Sequence, residues 1–245
     1  MRSHFAPKLD SMLRYAITDR ARFKGDEPAR QSALLRQAAR LAAAGIDFLQ
    51  LRENDLSAAE LAVLARKLLA TLRTVPTLPD PTHPTPRLLI NSRADIALAT
   101  CADGVHLTSA PGQLTPSQIR TLYATASMPE PIISLSCHTL DEVARAASAS
   151  PNNRPTHILF GPVFEKVVAE SLPSQKSIAS KRIAAGIGLD LLRAACLAAQ
   201  PIPALALGGI TRANAASTLA AGAAGIAAIR LFLSESSQIP PQSFH

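Results

Sequence analysis

Chemistry in this chain is concentrated where short apolar runs end in polar residues. The run Ile132 to Leu135 passes into Ser136, Cys137 and His138. An imidazole changes charge near neutral pH, so His138 is suited to remove a proton and return it. Ser136, two residues earlier, falls on the same side of an extended chain. Both are therefore candidate catalytic residues at one end of a strand. The same segment also reads as a simple helix start, with His138 solvated or bonded to backbone. Gln50 and Arg52 flank Leu51 and share a face by the same two-residue period. With Asn91, which follows the run Arg87 to Ile90, they form a polar group able to bind a substrate's carboxylate or ring. Arg52 has the alternative of bracing the end of the fold. His106, inside Gly-Val-His-Leu, is the weaker histidine, because a buried imidazole is commonly a hydrogen-bonded interior residue. Cys137 should point away from Ser136 and pack.

A second chemical signature lies between Pro203 and Phe232. Gly208 and Gly209 follow the apolar run Ala204 to Leu207, and without Cβ their N–H groups can approach a ligand oxygen closely. Thr211 then sits at a helix N-cap position. After a second run, Gly225 to Ala228, a short helix is expected to open over Ala228 to Arg230 with unpaired N–H groups at its positive end. Two such openings side by side cradle a phosphate, which places it on the amides of Gly208, Gly209, Ala228 and Ile229. A tight turn beside a well-packed Ala-rich helix is the plainer alternative. On the phosphate reading, a branched residue at Gly209 should weaken ligand binding with little loss of fold.

The elements that must hold these groups alternate regularly. Strands are expected at Leu13 to Thr18, Asp47 to Leu51, Arg87 to Ile90, Gly104 to Leu107, Ile132 to Leu135, His157 to Phe160, Ala204 to Leu207 and Gly225 to Ala228. Between them lie helix signals. Ala29 to Ala44 carries Leu34, Leu35, Ala38, Leu41 and Ala42 at helical spacing and stops at Gly45, while Ser57 with Glu60 and Thr139 with Glu142 have the capping-box spacing. Thr115 followed by Pro116 pairs an N-cap with a proline at the first helical position. Eight strands alternating with helices predict an α/β fold, a single (β/α)8 TIM barrel, whose last two strands commonly carry the phosphate site. An open doubly wound sheet is the rival, without a Gly-rich turn after its first strand. The domain is expected over residues 12–234, between a disordered N-terminal tail at 1–11 and a C-terminal tail at 235–245. Residues 74–86, with five prolines, read as a surface loop. Residues 161–185 break the rhythm; their three lysines suit an active-site loop facing an anion, and a mobile insertion is the alternative.

Composition narrows the function classes. A hydrophobic fraction of 47% with 18% charged residues fits a globular protein. No apolar run reaches the roughly 20 residues of a membrane span and no apolar leader core opens the chain, so a cytoplasmic location without membrane partner is the expectation. Three isolated cysteines give neither a disulfide framework nor zinc spacing. The net charge of +7 and pI near 9.8 come from scattered basic residues, with two tyrosines and seven phenylalanines to stack bases. No nucleic-acid partner is expected; a small anionic substrate fits the charge better. The sequence is compatible with a homo-oligomer.

Taken together, YAITDR (15–20), QLRE (50–53), LINS (89–92), ADGVHL (102–107), SLSCHT (134–139), LFGPVF (159–164) and ALGGIT (206–211) resemble thiamine-phosphate synthase and its TenI-like relatives, the thiazole tautomerases. The resemblance runs from about Leu13 to Leu233. It implies a (β/α)8 barrel handling a phosphorylated thiazole, a pyrimidine diphosphate or thiamine phosphate. It also implies Mg²⁺ in the synthases, held by an aspartate after the third-strand Asn and a second one after ADGVHL. Here Ser92 follows Asn91, and Thr108 to Gly112 contains no acid. Asn54 stands where the synthases carry lysine, and Glu165 to Ala169 replaces their threonines and lysine. The expectation is therefore a metal-independent thiazole phosphate tautomerase without cofactor, in which the resemblance makes His138 the acid/base. A divergent synthase, with Mg²⁺ only in that case, and a non-catalytic phosphate-binding regulatory module are the alternatives.

Overall fold

The computed structural model describes residues 12–74, 85–169 and 181–233. The tails at 1–11 and 235–245, most of the proline-rich loop and the centre of the segment 161–185 lie outside these residues. Eight parallel strands close into one barrel: β1 (Leu13–Ile17), β2 (Phe48–Leu51), β3 (Arg87–Asn91), β4 (Gly104–Leu107), β5 (Ile132–Cys137), β6 (His157–Phe160), β9 (Ala204–Leu207) and β10 (Gly225–Ala228). Around the ring the order is β1-β10-β9-β6-β5-β4-β3-β2. Helices α1 (Glu27–Ala43), α2 (Ala58–Thr74), α3 (Ala94–Thr100), α4 (Pro116–Thr125), α5 (Leu140–Ser148), α6 (Gly188–Ala198) and α7 (Arg212–Ala220) connect them. This is the (β/α)8 barrel.

Strand alternation makes two cores, because each barrel strand is buried on both faces. Tyr15, Ile17, Leu89, Leu159, Leu205 and Ala227 fill the inside of the ring. The residues between them, Ala16, Leu88, Ile90, Ile158, Phe160, Ala206 and Ile226, face outward into the larger cluster under the helices. Several helix starts are fixed locally. Thr115 with Gln118, Thr139 with Glu142 and Thr211 with Asn214 form reciprocal capping boxes, and Asp26 caps α1 through the Ala29 amide at 3.0 Å. Gly45, at φ 72°, ends α1 in the left-handed conformation that a side chain would disfavour.

Three expectations change. The fifth strand extends to Cys137, so Ser136 lies within it. Lys166–Ala169 (β7) and Lys181–Ala184 (β8) pair antiparallel as a separate two-stranded sheet, where the sequence showed no periodicity. The last helical turn spans only Arg230–Phe232, which leaves Ala228 inside β10, in register with Ala16.

Candidate active site

The candidate residues gather at the C-terminal ends of the strands, the mouth of the barrel. Gln50 points inward from β2 and is 1% exposed, and its Nε2 donates to Asn91 Oδ1 at 2.9 Å. That bond fixes the Asn91 carbonyl toward Gln50. Gln50 Oε1 is buried with no donor among the described residues, an acceptor turned into the interior near the mouth. Arg52 lies past the end of β2 and is exposed; its amide donates to Thr18 Oγ1 at 2.9 Å, while its guanidinium has no ion pair among the described residues. Leu51, between them, faces the outer core.

Ser136 and His138 separate into different roles. Ser136, nearly buried, is inward-facing in β5 and its Oγ lies 3.0 Å from His106 Nε2. His138 stands just beyond the strand and is exposed. Its Nδ1 is 2.6 Å from the Gly161 carbonyl at the end of β6, so Nδ1 carries a proton and donates, and Nε2 has no hydrogen-bond partner among the described residues. The His138 amide donates to Glu142, which ties the turn to the start of α5. His106 is the interior histidine that an apolar strand suggests: 3% exposed, with both ring nitrogens bonded to serines. Burial, then the charges of His157 and Arg52, push its pKa down to about 3. It is neutral at pH 7. Cys137 packs in the outer core as expected, its thiol pushed up to about 12 mainly by burial. A cavity of about 250 Å³ beside β5 is lined by Leu135, Ser136, Cys137, Glu142, Arg145 and others.

The β9–α7 turn is built as a close backbone approach. Gly208 and Gly209 have φ of 94° and 66°, and a Cβ at Gly209 would come within 2.7 Å of the Phe164 side chain and 2.8 Å of the Glu165 carbonyl. Phe164 N donates to Gly208 O, and Asn214 Nδ2 donates to Gly209 O. The amides of Gly208, Gly209 and Ile229 make no hydrogen bond to a described residue. Ala228, within β10, belongs to the strand. The Gly209 expectation is therefore corrected: a branched residue there collides with the β6 loop and strains the turn.

Sequence reasoning missed Arg20 and the interior serine. Arg20, 5% exposed, donates to Glu53 at 3.0 Å, to both Asp55 oxygens at 2.7 Å and to Glu27 at 2.7 Å. It fastens the loop bearing Arg52 to β1 and α1. Ser134 Oγ lies 2.6 Å from His106 Nδ1 and 3.0 Å from the Tyr15 hydroxyl. Period two from Ser136 would have flagged Ser134 as inward-facing.

Several carboxylates near the mouth are committed elsewhere, while those of Glu165 and Asp141 are exposed with no ion pair among the described residues. Glu53 and Asp55 hold Arg20, Asp95 holds Arg93, Asp19 holds Arg22, and Glu142 caps α5. Among the described residues no group of three His, Cys, Asp or Glu is spaced to hold a metal. Mg²⁺ is usually held by one or two carboxylates together with substrate phosphates and waters; Glu53, Asp55, Asp95 and Asp19 are bound to arginines and so do not fit that role. Among the same residues, no helix is long and apolar enough to cross a membrane.

Residues 14–232 match the family model described as thiamine monophosphate synthase. A thiamine-phosphate synthase of Chlorobium luteolum is 36% identical over 187 residues, 76% of this chain and 73% of that protein. One from Koribacter versatilis is 33% identical over 218 residues, 88% of this chain and 86% of its own. In structure, the thiamine phosphate pyrophosphorylase of Pyrococcus furiosus superposes with a TM-score of 0.64 at 25% identity, covering 92% of this chain and 90% of that one. The chain belongs to the thiamine-phosphate synthase family, with the barrel and the place in thiamine biosynthesis which that family carries.

Proposed function

We propose that the protein binds a phosphorylated thiazole at the barrel mouth and joins it to a pyrimidine diphosphate, the reaction to which the names of its relatives point. The observation that carries this reading is the mouth itself. The amides of Gly208, Gly209 and Ile229, open among the described residues, suit a phosphate, and the Arg52 guanidinium, without an ion pair among the same residues, suits a diphosphate. Gln50 and Asn91 orient the ring, with the Gln50 carbonyl without a donor among the described residues. In the condensation the thiazole nitrogen bonds to the pyrimidine methylene as the bond to the diphosphate oxygen breaks, and the diphosphate leaves with the electron pair. Arg52 offsets its growing charge. No step is routed through Mg²⁺, because the arginine-bound carboxylates described above do not fit it.

A second reading is favoured by one observation. His138 has Nδ1 held by the Gly161 carbonyl and Nε2 open among the described residues, an arrangement that suits a base when the ring is neutral. On this reading the protein isomerises a thiazole carboxylate phosphate: Nε2 takes one proton and returns it to a neighbouring atom, with Ser136 nearby to orient the ring.

One paired experiment separates them. The protein is incubated with thiazole phosphate plus pyrimidine diphosphate, and separately with the thiazole carboxylate phosphate tautomer, each with Mg²⁺ and with EDTA. Thiamine phosphate and released diphosphate in the first incubation are the expected result. Turnover only in the second would replace the condensation by the isomerisation, and turnover in neither would overturn both.

A further inference from the structure

Inside the barrel, four side chains form a continuous hydrogen-bonded column. Tyr15 OH, Ser134 Oγ, His106 Nδ1, His106 Nε2 and Ser136 Oγ follow one another at 3.0, 2.6 and 3.0 Å across the three contacts, rising from the centre of the ring to its mouth. Tyr15 and Ser134 are 0% exposed and His106 is 3% exposed, so their protons must find partners within the column. Below His106 there are two hydroxyl protons. Among the described residues Tyr15 OH has one hydrogen-bond partner, Ser134 Oγ, and donates to it. Ser134 then has one acceptor left for its own proton, His106 Nδ1. If Nδ1 carried a proton instead, either Tyr15 or Ser134 would keep a buried O–H without an acceptor, which is unfavourable. A neutral imidazole with Nδ1 accepting carries its proton on Nε2, and Nε2–H donates to Ser136 Oγ. The strong downward shift of the His106 pKa agrees with a ring that stays neutral.

We propose that Ser134 is a positioning residue which, through the tautomer of His106, turns the Ser136 hydroxyl outward as a hydrogen-bond donor to whatever atom of the ligand lies above it at the mouth. The proposal rests on the reading that the ligand sits at the mouth, but the column itself is a property of the ligand-free protein. It gives the mouth a fixed donor where a serine alone would present donor or acceptor indifferently. A ligand with an acceptor atom at that point is thereby preferred over one with an N–H or O–H.

The test has two parts. Ring-nitrogen NMR of the labelled full-length protein, with the His106 signals identified by their loss in His106→Gln, is expected to show Nε2 protonated and Nδ1 bare at pH 7. A ring protonated on Nδ1, or on both nitrogens, overturns the proposal. Ser134→Ala removes the donor to Nδ1 and is expected to lower kcat/KM about tenfold in whichever reaction the wild type catalyses, with affinity for inorganic phosphate unchanged. In a Ser136→Ala background the same substitution should cost nothing further, because there is no hydroxyl left to orient. Full additivity of the two losses overturns the positioning role. A wild type that catalyses neither reaction counts against the function reading alone, and an Nε2-protonated His106 would still support the column's direction.

Discussion

At the residue scale, Arg52 and His138 differ from their neighbours in having chemistry left unspent. Arg20, Arg22 and Arg93 each face a carboxylate at 2.6–3.0 Å, whereas the Arg52 guanidinium has no such partner among the described residues. Arg52→Gln should therefore leave the unfolding midpoint within error of wild type while raising the Kd for pyrophosphate about tenfold, the scale of a charge-assisted hydrogen bond. Calorimetric titration checks this, and an unchanged Kd would return Arg52 to bracing the barrel end. His138 has one nitrogen committed and one open among the described residues. His138→Gln keeps a side-chain donor near the Gly161 carbonyl and removes the base, so any isomerase turnover should fall about 100-fold with circular dichroism unchanged. Equal turnover in variant and wild type would remove the proton-transfer reading and leave His138 as the helix-start residue that its sequence context also allows.

At the element scale, the two loops that carry the candidate anion site are held in different ways. The β9–α7 turn depends on backbone conformation: Gly209 has φ 66° and no room for a Cβ beside Phe164 and Glu165. Gly209→Ala should lower stability by about 1–3 kcal/mol through strain at that φ and should also weaken phosphate binding. Urea unfolding followed by phosphate titration measures both. A variant as stable as wild type would mean the turn relaxes freely. The β2–α2 loop depends instead on charge. Arg20 is the buried cation among Glu53, Asp55 and Glu27, of which only Glu53 is buried. Arg20→Gln should cost about 3 kcal/mol at pH 7, near the low end for breaking a buried pair, since Asp55 and Glu27 are screened by water. The hydrogen bonds from Arg20 hold the Asp55 and Glu27 pKa values below the ordinary carboxylate range. A folded-state pKa below the unfolded one gives stability that is present above the unfolded pKa and lost as pH falls through the folded one. Glu53 runs the other way, raised chiefly by burial. The wild type should thus lose stability below about pH 4, and the Arg20→Gln penalty should shrink there. A penalty that stays constant from pH 7 to pH 3 would show that the carboxylates do not depend on Arg20.

At the scale of the whole molecule, the closed ring holds two concentric cores together. Leu159 is 0% exposed within the inner cluster, next in register to Leu205 on β9 and Ser136 on β5. Leu159→Ala should cost about 2–5 kcal/mol, with one unfolding transition, because a void inside the ring is lined by several strands that cannot collapse independently. A loss under about 1 kcal/mol would mean that the inner core tolerates the void. The sequence by itself determined much of this architecture. Alternating apolar runs gave the eight barrel strands to within two residues, Gly45 and the capping pairs gave helix ends, and period two placed Cys137 outward and Ser136 inward. These are local matters, set by side-chain period and by hydrogen bonds three or four residues apart. Only the tertiary structure decided which polar groups meet. Tyr15 and Ser134 are 119 residues apart and Arg20 is 33 from Glu53, and no local pattern encodes such pairs. The β7–β8 pairing and the short turn over Arg230–Phe232 likewise appear only in the structure. Motifs could mark His138 as a residue with chemistry. That its Nδ1 rests on the Gly161 carbonyl, with Nε2 open among the described residues, depends on β5 and β6 lying side by side in the ring.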